Sequence, residues 1–230
     1  MRKTKVVTSE DILLKLCQSA TAVLTKATDS PVHHAAMVQK IVKTSLKPDI
    51  GCFVLFDGGF SGLVVINFSS QAALEIYSNY MQHMGIPEEE LATQHTSDEV
   101  GDVLGELMNQ IIGDFTGKIK RSIQTSITQN QPKMMAVNKN ISVSVDSNID
   151  KPQARRVSFT TENNHIFYLE LAMERTEFIQ LQDFEEGEEV DPDSILEAET
   201  VRQLEEKEKS NDKNEKKDNG SNDLLDELGI

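Results

Sequence analysis

A chain of 230 residues with 38% hydrophobic content is long enough for one substantial core and a polar accessory segment. Its net charge of −15 is uneven: residues 184–230 hold 17 acids against 6 bases, a net of −11, which leaves −4 on the first 183. So acidic a chain repels phosphate backbones and anionic lipid surfaces, which argues against nucleic-acid and membrane partners. No stretch approaches the ~20 apolar residues of a membrane span. The start, MRKTKVVTSED, has no apolar run suited to a signal peptide, so a soluble cytoplasmic protein is expected.

In chain order, Thr8 or Ser9 can cap a first helix whose first turn carries Glu10 and Asp11, running to about Lys26 and stopped by the stretch to Pro31. Strand-like segments follow at Met37 to Thr44, Gly51 to Phe56 and Gly62 to Phe68, the last two joined by the hairpin signal Asp57-Gly58-Gly59. A phosphate-binding loop is the sharper reading of those glycines, but neither a Lys-Ser/Thr pair nor a helix start follows them. Ser69 or Ser70 caps a second helix, Gln71 to His83, closed by Gly85 with Pro87 beyond. Thr96 and Glu99 have the spacing of a capping box at the start of a third helix, Ser97 to about Ser122. Pro132 then opens a β region with an alternating strand at Ile141 to Val145 and a hairpin of Arg156 to Thr161 and His165 to Met173. The fold class expected is α/β (α+β), a single domain of a mixed sheet covered by long helices.

Competing local readings are weaker. His33-His34 has no cysteine or carboxylate at ligand spacing, so surface histidines are expected rather than a metal pair, and no metal site is expected elsewhere. Cys17 and Cys52 lie in apolar stretches, as buried thiols do. Arg155-Arg156-Val157-Ser158 has the look of a kinase site, but strand register accounts for it.

The third helix carries the chemistry. At roughly 100° per residue, setting Leu104 at zero places Val100, Leu107, Met108, Ile111, Phe115 and Ile119 within about 60°. Asp102, Glu106 and Asn109 fall at about 160°, 200° and 140°, with Gly113 and Gly117 at about 180° and 220°. One face is therefore apolar and the opposite one shows two acids, an amide and two glycines. A glycine inside a helix costs about 1 kcal/mol, and close approach of another protein's backbone is one thing that would offset it. A merely solvated face remains the plain alternative, although such a face has no use for the glycines.

Asp102, Glu106, Asn109 and Pro132 read Asp-x3-Glu-x2-Asn-x22-Pro. This resembles the active-site signature of the CheC/CheX/FliY phosphatases, which hydrolyse the phospho-aspartate of CheY. The surrounding pattern over roughly residues 1 to 175 is similar as well. One copy of the motif is present, as in CheX-type members, and the chain also resembles CheX-like bacterial proteins of undefined role. The resemblance implies a phosphatase acting on a phosphorylated CheY-like receiver domain. In it Asn109 orients the attacking water, Glu106 pairs with a receiver lysine, Asp102 assists, Gly113 supports the face and Pro132 shapes the backbone. It implies no cofactor of the chain's own, with Mg²⁺ in the receiver, and a possible homodimer. The same surface could instead dock a receiver or flagellar-switch component without catalysis.

From residue 184 the composition turns acidic and polar, too poor in apolar side chains to offset the entropy of ordering. The expected organisation is a CheX-like domain over 1–183, a disordered acidic linker over 184–220 and a terminal peptide over 221–230. In that peptide Leu224, Leu225, Leu228 and Ile230 cluster after a possible Ser221 or Asn222 cap. So short a helix is not stable alone, which suggests a segment that folds on a partner, against a tail that folds back or has no role. Asp223-Leu224-Leu225-Asp226-Glu227-Leu228-Gly229-Ile230 resembles the C-terminal CheY-docking peptide of CheZ, an unrelated phosphatase.

Overall fold

The computed structural model describes residues 6–137, 141, 143, 144, 149 and 152–181. The linker and docking peptide expected beyond residue 183, with Leu224, Leu225, Leu228 and Ile230, lie outside the described residues. Helices α1 (Ser9–Thr28), α2 (Ser70–His83) and α3 (Asp98–Ile123) alternate with strands β1 (Val6–Thr8), β2 (His33–His34), β3 (Gln39–Ile41), β4 (Ser45–Leu46), β5 (Ile50–Gly58), β6 (Gly62–Phe68), β7 (Ile127–Gln129), β8 (Lys133–Ala136), β9 (Val143–Ser144), β10 (Gln153–Thr160), β11 (Ile166–Met173) and β12 (Glu177–Ile179). The α+β class expected from the sequence holds.

The main sheet runs β2–β10–β11–β6–β5–β7, with β3 also on β10 and β8 also on β5. Every described pairing is antiparallel, and two of them, β5–β6 and β10–β11, are hairpins between sequential strands. The sequence expectation of one strand from Met37 to Thr44 is corrected here. Only β3 forms within that stretch, paired with one end of β10, while β2 lies before it on the other end of β10 and β4 lies after it and pairs with β9. β1 and β12 form their own two-stranded ribbon.

β6 is buried on both faces, which fixes how the layers stack. Val64, Ile66 and Phe68 face the helices in one core with Leu16, Ile76, Leu104 and Phe115. Leu63 and Val65 face the other way, into a smaller cluster with Leu46, Val137, Ala154 and Ala172. Gly51 belongs to this second layer, since a Cβ there would sit 2.6 Å from Leu46 Cδ2.

Helix starts follow their capping chemistry. The Thr8 hydroxyl accepts from Asp11 N while the Asp11 carboxylate accepts from Thr8 N at 2.8 Å, a reciprocal pair. The Thr8 backbone and side-chain bonds hold the Asp11 carboxyl below its ordinary range, against a smaller effect of burial. A folded value below the unfolded one means this contribution is present above the ordinary carboxylate range and is lost as pH falls through the folded value. At α2, Glu75 reaches the hairpin between β10 and β11, accepting from Thr161 Oγ1 at 2.5 Å and Asn163 N at 3.2 Å and meeting His165 Nδ1 at 2.6 Å. None of the described helices is long and apolar enough to cross a membrane.

Among the described residues, one charged side chain is buried. Glu170 of β11 is fully buried, with Arg156 Nε at 2.8 Å, an Arg156 terminal nitrogen at 2.7 Å and Ser45 N at 3.1 Å. It ties the β4 segment to the sheet face, as Asn67 does by accepting from Lys47 N and donating to Ser45 O. Removing one partner of such a pair strands the other, so Glu170→Ala is expected to cost about 3–5 kcal/mol in urea unfolding. A loss under ~1 kcal/mol, the value of an exposed pair, would contradict this account of the second layer.

Candidate functional site

α3 is held at both ends by its own residues. Ser97 caps it by accepting from Val100 N at 3.4 Å, Asp98 and Glu99 occupy the first turn, and Lys120 and Arg121 the last. The capping box expected between Thr96 and Glu99 is corrected: the helix begins one residue later, so Val100 takes the third position. Glu99 is used instead to accept from the Tyr77 hydroxyl at 3.3 Å, and that hydroxyl accepts from Ala92 N at 3.2 Å. These two bonds fasten the connection before α3 to α2.

The apolar stripe predicted for α3 is buried as a unit, from Val100 through Leu104, Leu107, Met108, Ile111 and Phe115 to Ile119. Phe115 meets the Phe56 ring edge-on at 5.9 Å between centroids. The opposite face is consequently outward. Asp102 and Glu106 are exposed and Asn109 is half-buried. Gln110 Nε2 donates to Glu106 Oε1 at 3.2 Å, which restrains the carboxylate on the helix surface. Among the described residues the Asn109 carboxamide and the Asp102 carboxylate have no hydrogen-bond partner, so both have their polar atoms free for another molecule.

Glycines surround Asn109 in a way the sequence reading caught only in part. Gly101, Gly105, Asn109, Gly113 and Gly117 recur every fourth residue, which on a helix is one ridge row. Sequence reasoning singled out Gly113 and Gly117 and missed Gly101 and Gly105, although the same spacing would have found them. The fold does not require glycine at Gly101 or Gly113, since an added Cβ would meet nothing within 4 Å. At Gly105 and Gly117 it would make ordinary contacts, both at 3.6 Å, with Met134 Cγ and Arg121 Nη1. The row leaves Asn109 as the one side chain along a shallow trench.

Pro132 sits half-buried directly before β8, whose pairing with β5 begins at Lys133 opposite Phe53. A proline there gives up no ladder hydrogen bond and fixes the backbone that leads to Met134, which lies against α3 at Gly105. Pro132 is thereby linked to the Asn109 row through backbone placement rather than through a functional side chain.

The remaining candidates fall away. Cys17 and Cys52 are buried, and burial pushes both thiols up to about 12, so neither is a nucleophile near neutral pH. His33 is exposed, while His34 shares a 3.0 Å hydrogen bond with Thr21 and lies tilted on Phe159. Among the described residues no three His, Cys, Asp or Glu side chains are grouped to hold a metal. Ser158 lies within the β10–β11 ladder opposite Tyr168, where strand register accounts for it.

Comparison with solved structures places the fold. The chemotaxis protein CheX from Desulfovibrio desulfuricans matches with a TM-score of 0.58 and 16% identity, over 71% of this chain and 99% of that one. A CheC-like superfamily protein from Shewanella sp. PV-4 matches with a TM-score of 0.58 and 17% identity, over 71% and 97%. CheX in the CheX–CheY–BeF3–Mg²⁺ complex from Borrelia burgdorferi matches with a TM-score of 0.54 and 17% identity, over 72% and 99%. Identities this low speak for the fold alone. No curated protein matches the sequence. Residues 3–230 match a single family, so the chain, built on the fold of CheX- and CheC-like chemotaxis proteins, belongs to the family described as "Protein of unknown function (DUF3334)".

Proposed function

We propose that this protein hydrolyses the phospho-aspartate of a CheY-like receiver domain, using the exposed face of α3. The observation that carries the proposal is the Asn109 carboxamide, unpartnered at the centre of a glycine trench, one turn from the restrained Glu106 carboxylate. An acyl phosphate is already activated, so catalysis needs mainly a water held in line with the bond that breaks. The water oxygen attacks phosphorus, the bond between phosphorus and the aspartyl oxygen breaks, and inorganic phosphate and a free carboxylate leave. A carboxamide suits the water because it donates and accepts at once and carries no charge to repel the phosphoryl oxygens. Glu106 is placed to pair with a cationic side chain of the receiver and so fix register, with Asp102 one turn further along the face.

The glycine row supports the same reading, since a receiver backbone can approach Asn109 closely only where side chains are absent. Mg²⁺, which offsets phosphoryl charge, belongs to the receiver in this scheme. The Borrelia complex pairs a protein of this fold with CheY, beryllofluoride and Mg²⁺, which agrees with the partner class.

Two outcomes are expected. Catalytic amounts of the protein should shorten the lifetime of a phosphorylated CheY-type receiver from the same organism, and Asn109→Ala should reduce that acceleration by about 10²-fold or more. Undiminished acceleration with Asn109→Ala would remove the proposed chemistry, and binding without acceleration would leave a receiver-docking module. Gly113→Ala should separate folding from docking: thermal unfolding should show a gain of up to about 1 kcal/mol, because nothing in the fold meets the new methyl group. The Michaelis constant for the phosphorylated receiver should rise in the same variant. Unchanged kinetics would deny the trench a role.

A further inference from the structure

Strands β7 and β8 lie one after the other along the same side of β5, and their registers do not match. β7 places Gln129 opposite Phe56, and β8 begins with Lys133 opposite Phe53. Between these pairs β5 has two residues, Val54 and Leu55, while the facing chain has three, Asn130, Gln131 and Pro132. One residue is extra, which makes the join a β-bulge. The bonding at Leu55 shows where it begins. Asn130 N donates to Leu55 O at 3.1 Å, as a ladder residue does, but Leu55 N donates to the side-chain Oδ1 of Asn130 at 2.9 Å. The carboxamide oxygen stands where a backbone carbonyl would in an unbroken ladder. Pro132, which has no N–H to give, occupies the other end of the bulge without loss of pairing.

The extra residue decides which face β8 turns to the helices. Side chains alternate along a strand, so a shift of one residue moves every side chain to the opposite face. Ile127 and Met134 both pack against the helix-side core, although an unbroken strand would put residues seven apart on opposite faces. With the bulge, Met134 falls opposite Cys52, a residue of that core. Without it, Met134 would fall opposite Gly51, whose face looks away from the helices toward Leu46. Met134 is the residue that meets α3 at Gly105, four residues before Asn109. Further along the strand, Ala136 lines a groove together with Asp98 at the start of α3. The strand therefore runs against the direction of α3, and the bulge lies on the side of Met134 that leads toward Asn109.

We propose that this bulge is the device that positions Asn109, and that Asn130, through its bond to Leu55 N, is the positioning residue that holds it. The inference rests on the function proposed above and deepens it, since Asn130 acts through Met134 and α3 rather than by contact with the phosphoryl group. A group that holds a water in line must be placed to within about 0.5 Å, whereas two surfaces can dock with a larger error. Asn130 therefore bears on turnover more than on docking.

The test is steady-state dephosphorylation of the phosphorylated CheY-type receivers of the same organism by wild type, Asn130→Ala, Asn130→Asp, Met134→Ala and the double variant Asn130→Ala/Met134→Ala. Thermal unfolding confirms that each variant is folded. Asn130→Ala should lower kcat about tenfold or more, as a misplacement of about 1 Å does, with KM within about twofold of wild type. Asn130→Asp keeps an acceptor oxygen for Leu55 N and should restore kcat to within about threefold. The double variant should lose no more than the worse single one, because both changes break the same connection. Wild-type kcat in Asn130→Ala, a loss that Asn130→Asp does not restore, or losses that simply add in the double variant would overturn the positioning role and leave the proposed function standing. A wild type that accelerates the dephosphorylation of no receiver would remove the proposed function and the positioning role with it.

Discussion

The seat of α3 in the core is the constraint on which everything else depends. Val100, Leu104, Leu107, Met108, Ile111, Phe115 and Ile119 are each no more than 1% exposed. Burying a side chain of that kind is worth about 1.5–3 kcal/mol, so the stripe as a whole outweighs any local preference of the polar residues. Turning the helix about its axis would expose this row and bury Asp102 and Glu106 without partners, which is doubly unfavourable. The direction in which Asn109 points is thus decided by residues that never touch a partner. A rigid helix is also a better mount for such a group than a loop, because its side-chain directions are set by packing.

Elements around α3 then define what can approach. β8 is paired along β5 and brings Met134 against Gly105, so it borders the glycine row there. The Tyr77 hydroxyl, bridging Glu99 and the Ala92 amide, keeps the preceding connection beside the first turn of α3. The second face of the sheet is closed separately, by Glu170, Arg156 and Asn67 acting on the β4 segment. That polar closure lies on the face away from the helices and leaves the α3 surface undisturbed. Stability and recognition are in this way built from different residues.

Much of this was legible in the sequence where the signal was local and periodic. The two faces of α3, the β5–β6 hairpin and the extent of α2 follow from spacing alone. What escaped depended on distant partners. Thr96 and Ser97 are adjacent hydroxyls, either able to cap, and the choice fell to Ser97 because its oxygen reaches Val100 N. Met37 to Thr44 reads as one strand, but only Gln39–Ile41 takes up a ladder, on β10. β1 pairs with β12 across almost the whole described chain, a contact with no local signature. Nothing local marks Glu170 as internal, and its partners Arg156 and Ser45 N come from distant parts of the chain. Gly101 and Gly105 gain meaning only once the four-residue row is seen with Asn109 at its centre.

The central claim is that the α3 face, with β8 beside it, is where a receiver domain sits. Amide hydrogen exchange of the full chain, with and without a beryllofluoride-loaded CheY-type receiver that binds it, tests this directly. The account predicts added protection concentrated in residues 98–117 and 133–136. Protection confined elsewhere, such as the β2–β3 edge or the β1–β12 ribbon, with α3 unchanged, would contradict it.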